Sequence, residues 1–233
     1  ALVRHGSDVL LALGGYTVLP AVLAARSLGV PVVLLEINSV SGRATRALSG
    51  LSERVVHAWP TPRAIPGGRH ACFGPPLAPS FLRGEPDAEQ SAAARVALGF
   101  RAELPLVLVL GGSQGAAGLN RFLRAHAAAL GAAGLQLLHQ TGPGRAHEGA
   151  GPLGERYRAC EYLDDVASAL DAATLVLCRG GASTLAEVAA RARPALVVPY
   201  PHHKDRHQEK NALALGAGVR IVPEERLDAA FVN

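Results

Sequence analysis

The chain has 233 residues, 49 % hydrophobic and 18 % charged, a balance that supports a packed core and excludes an intrinsically disordered polypeptide. Its net charge of +4 is carried almost wholly by arginine, with Lys204 and Lys210 the only lysines, and no arginine-rich stripe is interleaved with aromatics, so nucleic acid is not an expected partner. Three cysteines (Cys72, Cys160, Cys178) lie apart without a C-x-x-C spacing, which argues against a disulfide framework or a zinc site and for a reducing compartment.

In chain order, strands and helices alternate. "DVLLALGG" reads as a short buried strand and Pro20 to Leu28 as a helix. "VPVVLLEIN" is a second strand, "GRATRALSGL" a helix and "ERVVHAW" a third strand. The apolar run "VLPAVLAARSLGVPVVLL" has the length of a membrane span, but Arg26, Gly29 and Pro31 break it into helix, turn and strand. The proline-rich stretch from Pro60 to Pro79 reads as the passage between two domains. Beyond it come the helix "DAEQSAAARVALGF", the strand "LPLVLVLGG", a helix from Ala117 to Leu130 and the strand "LQLLHQTG". After a polar loop follow "RACEYL", a helix through "VASALDAA", the strand "TLVLC", a helix through "TLAEVAARA", the strand "PALVVPY", a helix from Asp205 to Leu215 and the strand "GVRIV".

Continuous apolar runs alternating with helices imply α/β units with doubly wound parallel sheets covered on both faces. The expected division is 1–79 and 80–233, the first part with only about three strands and the second nearly complete. Ala1 is not expected to be the native start, because methionine is absent even there; no signal peptide is visible.

Ligands in open α/β sheets sit beyond the carboxyl ends of the strands, and the unusual polar clusters fall there. "GGSQGA" (Gly111, Gly112, Ser113, Gln114, Gly115, Ala116) follows a strand and opens a helix. It suits a phosphate loop, with backbone N–H groups and the Ser113 hydroxyl meeting an anion, or simply a tight turn. It is not G-x-G-x-x-G, which weakens a dinucleotide reading. In "RGGASTLAE", Thr184 and Glu187 have the spacing of a capping box; alternatively, the Glu187 carboxylate in the first helical turn accepts from a ribose diol. In "PHHKDRHQ", His203 and His207 are four apart, but no third ligand of fixed spacing accompanies them, so no metal is expected; Asp205 reads as a helix cap. A row of mixed donors and acceptors there suits sugar hydroxyls. "LGGY" (Leu13, Gly14, Gly15, Tyr16) is another glycine turn, and Glu36 and Asn38 stand at a strand end. H-E-x-x-H is absent.

Taken together, "GGY", "GGSQGA", "HQTG", "YLDD", "RGGASTLAE" and "HKDRHQEKNA" resemble the bacterial N-acetylglucosaminyltransferases of peptidoglycan synthesis, of glycosyltransferase family 28, in order and spacing over most of the chain. The resemblance implies a GT-B fold of two Rossmann-like domains, the N-terminal one truncated here, and inverting transfer from UDP-N-acetylglucosamine to a polyprenyl-diphosphate-linked muramyl-peptide acceptor. It implies no cofactor or metal, and peripheral contact with the cytoplasmic face of the bacterial plasma membrane. Carried over by motif, Ser113 would touch the donor phosphate, Leu163 would hold uracil through its backbone, and Glu187 would bind ribose. Ala182, His207, Gln208 and Asn38 would surround the sugar, His207 standing where the family often has glutamine. Gly14, Gly15 and Tyr16 would lie near the acceptor.

The sequence departs from the family in three places. The family's early glycine-rich loop, with its histidine, would lie upstream of Ala1, so no catalytic residue is assigned. The family's His-Glu-Gln-Asn reads Leu35-Glu36-Ile37-Asn38, and its Gly-Asn-Pro-hydrophobic-Arg reads Gly74-Pro75-Pro76-Leu77-Ala78, without the arginine that faces the donor phosphate. A related transferase with another acceptor and a non-catalytic UDP-sugar binder are therefore the alternatives; for a nicotinamide dehydrogenase, neither "GGSQGA" nor "RGGASTLAE" is the G-x-G-x-x-G fingerprint. These residues by themselves are expected to bind donor without transferring it.

Overall fold

The protein is described by a computed structural model, covering residues 6–60, 69–145, 156–202 and 205–227. The chain divides into two compact units, Ala1–Pro76 and Leu77–Asn233.

The first unit contains β1 (Leu10–Ala12), α1 (Leu19–Ser27), β2 (Val32–Glu36), α2 (Arg43–Leu48), β3 (Arg54–His57) and β4 (Arg69–Cys72). The long apolar run does fold as helix, turn and strand: α1 ends at Ser27, Gly29 takes φ +71°, and β2 begins at Val32. The four strands are parallel, in the order β1-β2-β3-β4. Val22 and Ala25 of α1 pack with Val32, Leu34 and Val55 of the sheet.

Two expectations need correction here. The proline-rich stretch holds a strand: β4 pairs with β3 from Arg54↔Arg69 to His57↔Cys72, giving four strands rather than three. Arg-His-Ala-Cys has no apolar run, and this edge strand is recognisable only through its backbone pairing with β3. Residues 61–68 of the stretch lie outside the described residues. Nor is this sheet covered on both faces throughout, since Leu11 of β1 is 58 % exposed.

The second unit runs α3 (Ala88–Ala97), β5 (Leu106–Leu110), α4 (Ala117–Ala132), β6 (Gln136–Gln140), β7 (Tyr157–Cys160), α5 (Val166–Ala172), β8 (Leu175–Cys178), α6 (Ala182–Ala190), β9 (Ala195–Val197), α7 (His207–Leu215) and β10 (Val219–Ile221). Its six parallel strands are ordered β10-β9-β8-β5-β6-β7. This is the doubly wound Rossmann order, whose direction reverses between β5 and β8. Side chains alternate across a strand, and β5 feeds both layers. Leu106, Leu108 and Leu110 enter the core built with α5 and α6, while Val107 and Val109 meet Leu119, Phe122 and Leu123 of α4. Full burial of each such side chain contributes about 1.5–3 kcal/mol before conformational entropy is counted.

Two helix starts are closed by aspartates. At α3, Asp87 Oδ1 accepts from Gln90 N at 2.8 Å and Gln90 Oε1 accepts from Asp87 N at 3.0 Å, a reciprocal capping box. At α5, Asp165 accepts from the Ser168 amide at 2.9 Å and from its hydroxyl at 2.6 Å. These hydrogen bonds hold the Asp165 carboxyl below its ordinary pKa.

Candidate functional site

The reversal between β5 and β8 places two glycine turns side by side at the carboxyl ends of the strands. "GGSQGA" leads from β5 into α4, and Arg179-Gly180-Gly181 leads from β8 into α6. The first turn is shaped by "HQTG" at the end of β6. Gly115 has φ +70°, and a Cβ there would fall on the Thr141 carbonyl oxygen; a Cβ on Gly142 would lie 2.6 Å from Gly115 Cα. A buried polar network fixes Thr141 in turn: Asn120 Nδ2 donates to its carbonyl at 3.0 Å, Asn120 Oδ1 lies 3.0 Å from His139 Nε2, and His139 Nδ1 lies 2.8 Å from the Tyr157 hydroxyl. Such a network, satisfied within itself, holds the loop rather than offering groups to a ligand.

The second turn is set by α7. A Cβ on Gly180 would fall on the Gln208 carbonyl oxygen. Gln208 Oε1 accepts from Tyr200 N at 2.8 Å, and Asn211 Nδ2 donates to the Gly180 carbonyl at 3.2 Å. Residues following β8 and β9 are thereby tied together.

α4 and α6 start on Ala116 and Gly181, and neither has a side-chain cap. α7 starts on Arg206, in the left-handed conformation at φ 49°, also without a cap; Glu209 accepts from its Nε at 2.6 Å. The first amides of a helix have no intrahelical acceptor and carry the positive end of its dipole. Residues around these three starts line one cavity of about 600 Å³, including the glycine loop, Gly181, Thr184 and Gln208. Arg121, Arg145 and Arg179 also line it. A cavity of this size suits a nucleotide-scale ligand, and its cations and helix starts suit an anion.

Arg179 is the most enclosed of these cations, 8 % exposed. Its Nη1 donates to the carbonyls of Val198 at 3.1 Å and Pro199 at 3.3 Å, its Nη2 to Glu224 at 2.6 Å, and its guanidinium lies 5.8 Å from the centroid of the Tyr200 ring. Cys178, one residue earlier, is fully buried, and burial pushes its thiol up to about 12, so it is a packing residue rather than a nucleophile.

Ser113, Gly111, Gly112, Gln114, Gly115 and Gln208 all border the cavity, and the exposed Ser113 hydroxyl makes no hydrogen bond among the described residues. Leu163 lies just before α5 and packs against the core, Ala182 is the buried first residue of α6, and His207 opens α7 with Nδ1 2.8 Å from Asp205 Oδ1. These three and Glu187 are outside the wall of that cavity. Glu187 stands one turn beyond Thr184, half-buried, without a hydrogen-bonding partner for its carboxylate among the described residues; desolvation raises its pKa. Asn38, Gly14, Gly15 and Tyr16 belong to the first unit. There, buried Glu36 accepts from Asn38 N and Nδ2 at 3.1 and 3.2 Å, Gly42 N at 2.9 Å and Thr45 Oγ1 at 2.6 Å, organising the loop into α2.

Two local readings are overturned. Thr184 and Glu187 form no capping box: α6 begins at Ala182, which puts Thr184 third in the helix and Glu187 in its second turn rather than its first. Asp205 does not cap α7, whose cap position is Arg206. His203 lies outside the described residues, so its pairing with His207 is not described; among the described residues no group of three or more His, Cys, Asp or Glu could hold a metal ion. No sequence motif marks Arg121, Arg145, Tyr200 or Glu224. Arg179 had a local signal, its place directly before the double glycine of a strand-end turn.

Residues 106–224, just over half of the chain, match the glycosyltransferase family 28 C-terminal domain. A UDP-N-acetylglucosamine–N-acetylmuramyl-(pentapeptide) pyrophosphoryl-undecaprenol N-acetylglucosamine transferase of Sorangium cellulosum (strain So ce56) is 44 % identical over 221 residues, 91 % of this chain and 51 % of the relative. A protein of the same name from Synechococcus sp. (strain JA-2-3B'a(2-13)) is 39 % identical over 95 % of this chain and 60 % of its own length. The chain thus spans about half to three fifths of these relatives. The crystal structure of Acinetobacter baumannii MurG superimposes with a TM-score of 0.72 at 28 % identity, covering 99 % of this chain and 65 % of that one. The parallel-sheet, Rossmann-like architecture is that of the GT-B glycosyltransferases, as expected. By its C-terminal domain, the chain belongs to glycosyltransferase family 28.

Proposed function

We propose that this chain carries the donor-binding part of an inverting N-acetylglucosaminyltransferase. The enzyme would move N-acetylglucosamine from UDP-N-acetylglucosamine to a polyprenyl-diphosphate-linked muramyl peptide in peptidoglycan synthesis. The observation that carries the reading is the second unit's cavity, where the uncapped starts of α4 and α6 meet three arginines at the reversal of strand order. A nucleoside diphosphate suits such a place, because helix amides and guanidinium groups stabilise its charge without a metal. The names of the relatives supply the sugar and the acceptor.

In this reading Ser113 and the backbone of Gly111, Gly112, Gln114 and Gly115 meet the diphosphate. Glu187 accepts from the ribose hydroxyls; its carboxylate has no competing protein donor among the described residues. Leu163 offers backbone groups to uracil, and Ala182, His207, Gln208 and Asn38 surround the sugar. Transfer further requires the acceptor hydroxyl in line with the anomeric carbon and a base for its proton, and no residue of this chain is assigned to that step. The enzyme acts at the cytoplasmic face of the plasma membrane by peripheral contact. No helix among the described residues is long and apolar enough to cross a membrane.

A second reading, a UDP-sugar binder or a transferase with another acceptor, is motivated by Leu35 and Ala78, which stand where the family has polar groups. Calorimetry with UDP and UDP-N-acetylglucosamine, paired with a radiolabelled transfer assay on a lipid acceptor, tests these proposals. The expected result is binding of both nucleotides without transfer by these 233 residues alone. A folded sample that binds neither would overturn the donor assignment. Measurable transfer would overturn the view that these residues lack an essential acceptor-side group.

A further inference from the structure

Within the cavity, one carboxylate stands among the cations. Glu224, the first residue of the short turn after β10, is the only acidic side chain in its wall among the described residues. Its Oε2 accepts from Arg179 Nη2 at 2.6 Å, and its Oε1 lies 3.6 Å from Arg121 Nη2. It also reaches the start of α4: a Cβ on Gly118, second residue of that helix, would fall on the Glu224 carboxylate. The absence of a side chain at position 118 is what lets the carboxylate approach. The pair is largely enclosed, with side-chain exposures of 10 % for Arg179 and 22 % for Glu224.

A carboxylate placed on a guanidinium and against a helix start makes the contacts that a phosphate oxygen would make there. Two anions cannot share those donors without strong repulsion, because the enclosed setting weakens solvent screening. We propose that Glu224 is a displaceable counter-ion: it occupies Arg179 while the cavity is empty, and an entering diphosphate expels it to take its place. Arg179 stays in position during the exchange, because Nη1 remains on the Val198 and Pro199 carbonyls. The residue thereby weakens the binding of every anion in this cavity and sets how readily a diphosphate product leaves. The proposal rests on the donor-site reading above for the identity of the natural ligand, but not for its test.

The test titrates the whole chain and its Glu224→Gln, Glu224→Asp and Glu225→Gln variants with inorganic pyrophosphate and, separately, with UDP, at low ionic strength and with circular dichroism to verify folding. Glu224→Gln should bind pyrophosphate about tenfold more tightly, as expected from removing a competing charge worth about 1.4 kcal/mol. Glu224→Asp, too short to hold Arg179 and the α4 start together, should fall between. Glu225→Gln removes a neighbouring charge that makes no ion pair with Arg179 and should change affinity less than twofold. Unchanged or weaker pyrophosphate binding by Glu224→Gln, or by Glu224→Asp if the glutamine variant does not fold, overturns the proposal. So does an equal gain in Glu225→Gln, or no pyrophosphate binding by any form. Tighter pyrophosphate binding with no UDP binding by any form leaves the counter-ion standing and removes the donor-site reading instead.

Discussion

The helices of the second unit begin in two ways. α3 and α5 start on aspartates that take up their first amides, while α4, α6 and α7 start on Ala116, Gly181 and Arg206 with no side-chain cap. Residues at or beside the uncapped starts line the cavity. A cap is worth about 1 kcal/mol, so omitting three is a stability cost tolerated at one place in the sheet. A phosphate is expected where the first amides of a helix carry no side-chain cap among the described residues, and not where Asp87 and Asp165 already hold them.

The largest effect is expected at Gly115. Gly115→Ala sets a Cβ against the Thr141 carbonyl at a positive φ, and should destabilise the fold by about 2–4 kcal/mol. UDP affinity should fall at least about tenfold as the loop shifts. Unchanged melting and binding would show that the close approach to "HQTG" is unimportant.

Glu187→Gln should weaken UDP binding by about 1.5–3 kcal/mol, the scale of a hydrogen bond to a charged group. Its effect on stability should have the opposite sign. Because burial raises the folded-state pKa, the folded protein holds this proton more tightly than the unfolded chain. Stability is therefore highest below the ordinary glutamate value and declines as pH rises through the window up to the raised folded value. The glutamine variant should flatten that decline and melt no lower at neutral pH. A lower melting temperature with intact UDP affinity would assign Glu187 a purely structural role.

The capped helices should respond in reverse. Asp87→Ala and Asp165→Ala should each cost about 1 kcal/mol of stability and leave UDP affinity unchanged. For Asp165 the folded pKa is depressed by Ser168. Its contribution is present above the ordinary aspartate value and is lost as pH falls through the lowered folded value, so wild type and variant should converge in acid. A loss of UDP affinity in either variant would erase the distinction between the two kinds of helix start.

The smallest effect is expected at Thr184. Since it is the third residue of α6 and not its cap, Thr184→Ala should change stability by less than about 0.5 kcal/mol. A loss near 1 kcal/mol in thermal unfolding would restore the capping-box reading.

Much of the second unit was legible in its residues. The run Leu106–Leu110 is apolar at every position because β5 feeds cores on both faces, and the glycines following β5 and β8 announce turns at strand ends. Local pattern failed where a feature is defined by a partner elsewhere in the chain. β4 is a strand because β3 lies beside it, and Arg-His-Ala-Cys alone carries no strand signal. T-x-x-E was a sound local signature, yet α6 starts at Ala182, where Gly180 packs against Gln208; a genuine capping box at Asp87 and Gln90 lay within the stretch read simply as a helix.

The alternation of strand and helix, the glycine turns and the family motifs are readable in short stretches, because hydrophobic period and backbone freedom are properties of neighbouring residues. That Arg179 meets Glu224, 45 positions away, and that the starts of α4 and α6 open on one cavity beside Gln208 of α7, emerges only in the assembled sheet. Those meetings follow from the order of strands in the sheet, which long-range packing selects and no local stretch encodes.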